Sequence, residues 1–213
     1  GDGSATYVTK DGSDLVSVWK DLSGANHPLN QATGTNQPKW QSTGILFDGA
    51  DNYLQTANFV YAQPEMIYMV VNQITYNAND GLFGGGGGLP MCYQNGIGVQ
   101  LALNAGTAIV NGHLGLNRFR LLKACINGAN GLLQVNEFTA TAGAVGASAM
   151  ANIRMGANSW GNAWANIEVK EAIFRSTADD ETTRLAISNY FYNKYDIRDA
   201  DIIGIIGDST IAA

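Results

Sequence analysis

Short alternations of apolar and polar residues recur along this chain between Gly/Asn turns, roughly every 8–12 residues, as in a β-sandwich. LVSVWKD (15–21) alternates, and SGANHPLNQATGTNQP after it reads as a long loop. GILFDG (44–49) and NYLQT (52–56) predict a hairpin across Asp48-Gly49-Ala50-Asp51. EMIYMVVNQITY (65–76) is the longest strand segment, apolar on both faces in its first half, which predicts a central strand. Further strand segments are 97–104, 107–115, 118–128, 131–142, 152–158 and 166–174.

One segment has a different period. In DDETTRLAISNYFYNKY (179–195) the acidic pair Asp179 and Asp180 supplies an N-cap and charge at the positive end of a helix dipole. Ile187, Tyr190, Phe191 and Lys194 follow helical spacing from Thr183, which predicts one apolar stripe and a helix lying on the sandwich. The glycine run 84–88 is followed by Leu89-Pro90 rather than Lys-Ser/Thr, so it reads as a flexible sheet-edge loop, not a phosphate cradle.

Composition narrows the classes. Only 14% of residues are charged, against about 25% in an ordinary soluble domain. Twenty-one Asn and 26 Gly supply polarity and turns instead. Such a neutral, hydrogen-bonding surface suits an extracellular or virion-surface protein. The net charge is −6 with no Lys/Arg cluster, which argues against nucleic acid as a partner. No apolar run approaches the ~20 residues of a membrane span, so no membrane insertion is expected. The chain opens at Gly1 without a leader pattern, which reads as a processed end. Cys92 and Cys125 lie in separate predicted strands, and pairing them needs Cα atoms within about 7 Å.

VSVWKDLSGANHPLNQATGTNQPKW followed by GILFDGADNYLQ resembles the opening of bacterial and phage laminin-G-like domains of the concanavalin A-like lectin/glucanase superfamily. The residues carrying the likeness are Trp19, Asp21, Ser23, Gly24, Gln37, Pro38 and Phe47-Asp48-Gly49. LLQVNEF, IRMGAN and IEVKEAIFRSTADDETTRLAISNYFYNKYDI are similar to the same family's later strands and closing helix, so the likeness spans about residues 13–197. It implies an all-β fold, a two-sheet antiparallel jelly-roll sandwich with one C-terminal helix packed on it. Residues 1–197 would form that domain, and 198–213 a linker and the first strand of a following one. Calcium occurs in the superfamily, and Asp48, Asp51 and Asp80 are the loop candidates for Ca2+. Asp21 and Asp48 more readily bond turn N–H groups, and Trp19 belongs to the core.

Three functions compete. The leading expectation is a non-catalytic carbohydrate-binding or adhesion module, with a glycan held by Trp160, Trp164, Asn158 and Asn162 in NSWGNAW (158–164). Tyr93 and His113 have no feature that singles them out for that site. The second is a structural domain of a phage particle, working through contacts with other protein subunits. The third comes from the tail: DIIGIIGDST (201–210) resembles the first motif of SGNH-type esterases, which would make Ser209 a nucleophile if a further domain follows. As it stands the chain is expected not to be an enzyme. Retaining glycosidases need paired carboxylates, and the spacing of three between Glu168 and Glu171 would set them on opposite faces of a strand. Glu171 is in phase with Ile167, Val169 and Ile173, which predicts an inward side chain. No zinc-ligand spacing occurs.

Overall fold

The computed structural model describes residues 7–86, 88–96, 100–112 and 114–198. Two compact units divide the chain, Gly1–Ala178 and Asp179–Ala213. In the first, the short strands β1 (Val8–Lys10), β2 (Val16–Trp19), β3 (Leu29–Asn30) and β4 (Lys39–Gln41) come early. β5 (Gly44–Asp48), β6 (Leu54–Gln55), β7 (Glu65–Gln73) and β8 (Gly81–Gly84) follow. Next are β9 (Met91–Gln94), β10 (Gln100–Asn104), β11 (Ala108–Gly112) and β12 (Phe119–Ile126). β13 (Gly131–Val135), β14 (Thr141–Gly143), β15 (Arg154–Met155) and β16 (Asn166–Arg175) complete the series.

Among the described residues, every pairing between these strands is antiparallel, and the strands form two sheets. One has nine strands in the order β1-β2-β3-β6-β15-β8-β9-β10-β11, the other seven in the order β14-β13-β12-β7-β16-β5-β4. This is the expected two-sheet sandwich. β7 is the centre of the smaller sheet, as its double-faced apolar run predicts, and Met66 to Val71 are fully buried. Alternate residues Ile67, Met69 and Val71 enter the shared core with Leu122, Ala124, Ile167 and Val169, opposite Leu54, Phe83 and Leu103 of the larger sheet. Each such side chain contributes about 1.5–3 kcal/mol by leaving water.

The structure corrects three local expectations. The segments 44–49 and 52–56 form no hairpin: β5 belongs to the seven-stranded sheet and β6 to the nine-stranded one. Asp48 turns the chain from one layer to the other, with its Oδ1 accepting from Ala50 N (2.9 Å) and Gly49 at φ +78°. The glycine run does not start at a sheet edge either: its first residue, Gly84, ends β8, which lies inside the larger sheet between β15 and β9. A Cβ at Gly84 would strike Ser159 Oγ, and one at Gly85 would press on Met150, so glycine is what lets the 150–159 segment lie so close.

The third correction concerns β16. A bulge between Val169 and Glu171 shifts its register on β7: Val169 pairs with Val71, but Glu171 pairs with Val70. Glu171 therefore leaves the inward phase of Ile167 and Val169. Glu168, opposite Asn72, and Glu171, opposite Val70, stand on the same face instead of opposite faces.

The second unit holds α1 (Glu181–Tyr195), capped by Asp180, whose carboxylate accepts from Thr183 N (2.8 Å). Its buried side chains are Ser188, Phe191 and Tyr192, whereas Tyr190 of the predicted stripe is exposed. No helix among the described residues is long and apolar enough to cross a membrane.

Candidate functional site

A cleft of about 610 Å³ opens at one end of the sandwich, and four separated segments build it. The first is the end of β2 and the loop after it. Trp19 is 5% exposed and forms part of both core and cleft wall. Beyond it Asp21 organises the turn: its Oδ1 accepts from Ser23 N (2.8 Å) and its Oδ2 from His27 N (2.8 Å). Gly24 (φ +85°) and Asn26 (φ +61°) take left-handed backbone that suits these residue types, so SGANH folds back on itself. Burial opposes charge on Asp21, but the hydrogen bonds from His27 and Ser23 outweigh it and hold the carboxyl below its usual range.

The second segment is 56–61. Thr56 N, Phe59 N and Tyr61 N donate to the carbonyls of Ile153 (2.9 Å), Ala151 (2.8 Å) and Met150 (2.9 Å). That lacing directs Phe59 and Tyr61 to one side and leaves Val60 between them 84% exposed. Phe59 stacks on His27, with ring centroids 3.9 Å apart and planes within 13°, and meets Tyr61 at 5.8 Å. Ile153 is the third contribution.

The fourth is the far half of β16. β5 pairs with β16 only from Asn166 to Val169, so residues 171–174 run past it and, with Ser176, line the cleft. Phe174 meets Phe83 of the opposite sheet edge to face at 6.1 Å. The result is a concavity lined by the aromatic residues Trp19, Phe59 and Tyr61, by His27, and by the acidic residues Asp21 and Glu171, with Lys20 at its border.

None of the described site residues read from the sequence lines this cleft. Trp160 is 58% exposed in its loop, whereas Trp164 is half-buried, with Nε1 enclosed and without a hydrogen-bond partner. Asn158 is buried; its Nδ2 donates to Asn162 Oδ1 (2.8 Å) and its Oδ1 accepts from Asn162 N (3.1 Å), so the two amides brace the turn between the tryptophans. Arg154 supports the same loop by donating to the Asn158 (3.4 Å) and Ser159 (3.3 Å) carbonyls.

Among the described residues no group of three or more His, Cys, Asp or Glu side chains converges, so Asp48, Asp51 and Asp80 do not make one Ca2+ site. Asp51 accepts from Asn52 Nδ2 (3.3 Å), and Asp80 is buried with Asn77 Nδ2 donating to it (3.1 Å). Burial raises the Asp80 carboxyl above its usual range despite that bond. Cys92 and Cys125 are buried and in no disulfide. Ser209 and His113 lie outside the described residues. What sequence reasoning missed is the 56–61 wall. Its signal was the apolar triplet Phe59-Val60-Tyr61 inside an otherwise polar stretch, ANFVYAQP.

No family model and no curated protein matches the chain. Solved structures do share the sandwich. A Trypanosoma rangeli sialidase in complex with sialic acid is similar at 15% identity and a TM-score of 0.58, over 91% of this chain and 33% of that one. A mutant GH54 α-L-arabinofuranosidase soaked with 4-nitrophenyl α-L-arabinofuranoside is similar at 12% identity and a TM-score of 0.66, over 84% and 51%. A chain described as an HCR/D mutant is similar at 8% identity and a TM-score of 0.60, over 86% and 50%. The chain thus spans a third to a half of the length of these proteins, and at such identities the likeness shows the fold. It is consistent with the jelly-roll lectin/glucanase type of sandwich. The comparisons also correct the functional expectation. The sialidase and the arabinofuranosidase are glycosidases, which points away from a non-catalytic binding or adhesion module, a phage structural domain or a cut-off esterase accessory domain.

Proposed function

We propose that this chain is the glycan-engaging sandwich of a glycoside hydrolase, with the Trp19 cleft as the place where the sugar docks and reacts. One observation carries the reading: a single concavity is lined by aromatic residues together with two acidic residues, Asp21 and Glu171. Aromatic faces receive the apolar side of a sugar ring, and glycoside hydrolysis is commonly the work of two carboxyl groups flanking the bond. The volume suits one or two sugar units, within the ~300–1,000 Å³ of ordinary ligand pockets.

The roles follow from environment. Asp21 is held ionised, which suits it to take a proton from the attacking water. Glu171 delivers a proton to the leaving oxygen as the glycosidic bond breaks, and the water's oxygen bonds to the anomeric carbon. The β16 bulge supports this reading, since it takes Glu171 out of the core phase that had argued against a catalytic carboxylate. Membership of the concanavalin A-like superfamily, a domain boundary at residue 197 and an extracellular location belong to the same proposal. Their supports are the motif series from Trp19 onward and the low charge content.

The test uses the ligands held by the similar structures. Binding of 4-nitrophenyl α-L-arabinofuranoside and of sialic acid is followed by saturation-transfer NMR, and nitrophenol release is followed by absorbance. The expected outcome is binding of at least one, and release of methanol from methyl α-L-arabinofuranoside, whose leaving oxygen needs a proton where nitrophenolate does not, that falls about 100-fold or more in Glu171→Gln. Hydrolysis of the methyl glycoside that survives Glu171→Gln intact would remove Glu171 from the chemistry, and absence of both binding and turnover would end the reading.

A further inference from the structure

The mouth of the cleft has a character its floor lacks. Leu22, on the Asp21 turn, is 57% exposed, and Val60, on the facing 56–61 segment, is 84% exposed. Both line the cleft, and neither is needed by the core. Exposed apolar side chains scattered singly need no explanation, but two set on different loops around one concavity form a lip that water wets poorly. Below that lip Asp21 is ionised, Glu171 carries the proton the proposed reaction needs, and Lys20 stands at the border. No arginine lines the cleft among the described residues. The bidentate guanidinium that best receives a carboxylate is missing from the described lining.

From this we infer that the cleft selects neutral glycosides bearing an apolar aglycone and rejects acidic sugars. The inference rests on the proposed function and specifies its substrate class. The sugar ring lies on the aromatic faces, its hydroxyls are free to bond the carboxylates, and the aglycone rests between Leu22 and Val60. A carboxylated sugar in the same pose would bring its charge towards Asp21, and like charges at such range repel by enough to cost about tenfold or more in affinity at low salt. This sets the cleft apart from the sialidase whose fold it shares, since that structure holds sialic acid.

The experiment compares three ligands by NMR titration of the whole chain at low and high salt. They are 4-nitrophenyl α-L-arabinofuranoside, methyl α-L-arabinofuranoside and sialic acid. The expected order is nitrophenyl over methyl, with sialic acid weakest by about tenfold or more and the gap to sialic acid narrowing as salt screens Asp21. Leu22→Ser with Val60→Ser, both at exposed positions, should erase the preference for the aryl over the methyl glycoside. Sialic acid binding as tightly as the neutral sugars overturns the charge argument, and an unchanged aryl preference in the double variant overturns the lip. If no sugar binds at all, the proposed function has failed first, which is a distinct result.

Discussion

Glu65 heads β7 with its side chain fully buried; its Oε1 accepts from Met150 N (3.3 Å), and its Oε2 has no hydrogen-bond partner. Burial pushes this carboxyl from the usual 4.5 up to about 8, only partly opposed by the Met150 bond. An acid whose folded pKa is raised binds more protons folded than unfolded, so its contribution to stability falls as pH rises between 4.5 and about 8. Asp21 has the opposite sign. Its depressed pKa contributes stability above the usual carboxylate range, and that is lost as pH falls through the folded value. Glu65→Gln should therefore raise the melting temperature at pH 8, change little at pH 4, and flatten a slope of up to about 1.4 kcal/mol per pH unit between them. Thermal melts of both proteins across that range decide the matter. A wild-type chain that gains stability from pH 5 to 8, with the variant running parallel, would show that Glu65 is ionised in the fold.

At the scale of the element, the β16 bulge is the feature on which the cleft depends. The register passes from Val169 opposite Val71 to Glu171 opposite Val70, so the strand beyond Lys170 is displaced by one position. Deleting Lys170 would make the ladder regular and leave Glu171 opposite Val70, on the face it already occupies. We expect the deletion variant to lose no more than about 1 kcal/mol in urea unfolding. A loss of about 3 kcal/mol or more would show that the strand beyond the bulge had slipped into another register. This bulge also marks the limit of what a sequence discloses. The centrality of β7 was legible because Met66 to Val71 have no polar face to spare. The phase slip was not, because the residues 166–174 alternate acceptably either way and only pairing with β7 decides between them. β5 and β6 were misjoined for a related reason: a turn signal at 48–51 shows that the chain bends, not which layer it enters. Asp21 and Trp19 were legible as turn and core residues. Their share in a cleft was not, since its walls are up to about 150 residues apart in sequence and meet only through sheet packing.

On the scale of the whole molecule, the two thiols report on global integrity. Cys92 is fully buried and Cys125 nearly so, in strands of different sheets, and burial raises the Cys92 thiol far above its usual range. Ellman's reagent should label neither in the native chain within the time it takes to label both in 6 M urea. Fast labelling of one thiol without denaturant would show that its sheet opens locally. The same topology has a consequence in time. β7 pairs with β12 about 50 residues later and with β16 about 100 residues later. At a synthesis rate of roughly 5–20 residues per second, the most apolar strand of the chain waits about 5–20 seconds after its own translation before its second neighbour exists. For that interval the nascent chain carries an unpaired edge that any other strand can take. The centre of the finished sandwich is thus the segment whose safety during synthesis depends most on being shielded by something other than this protein.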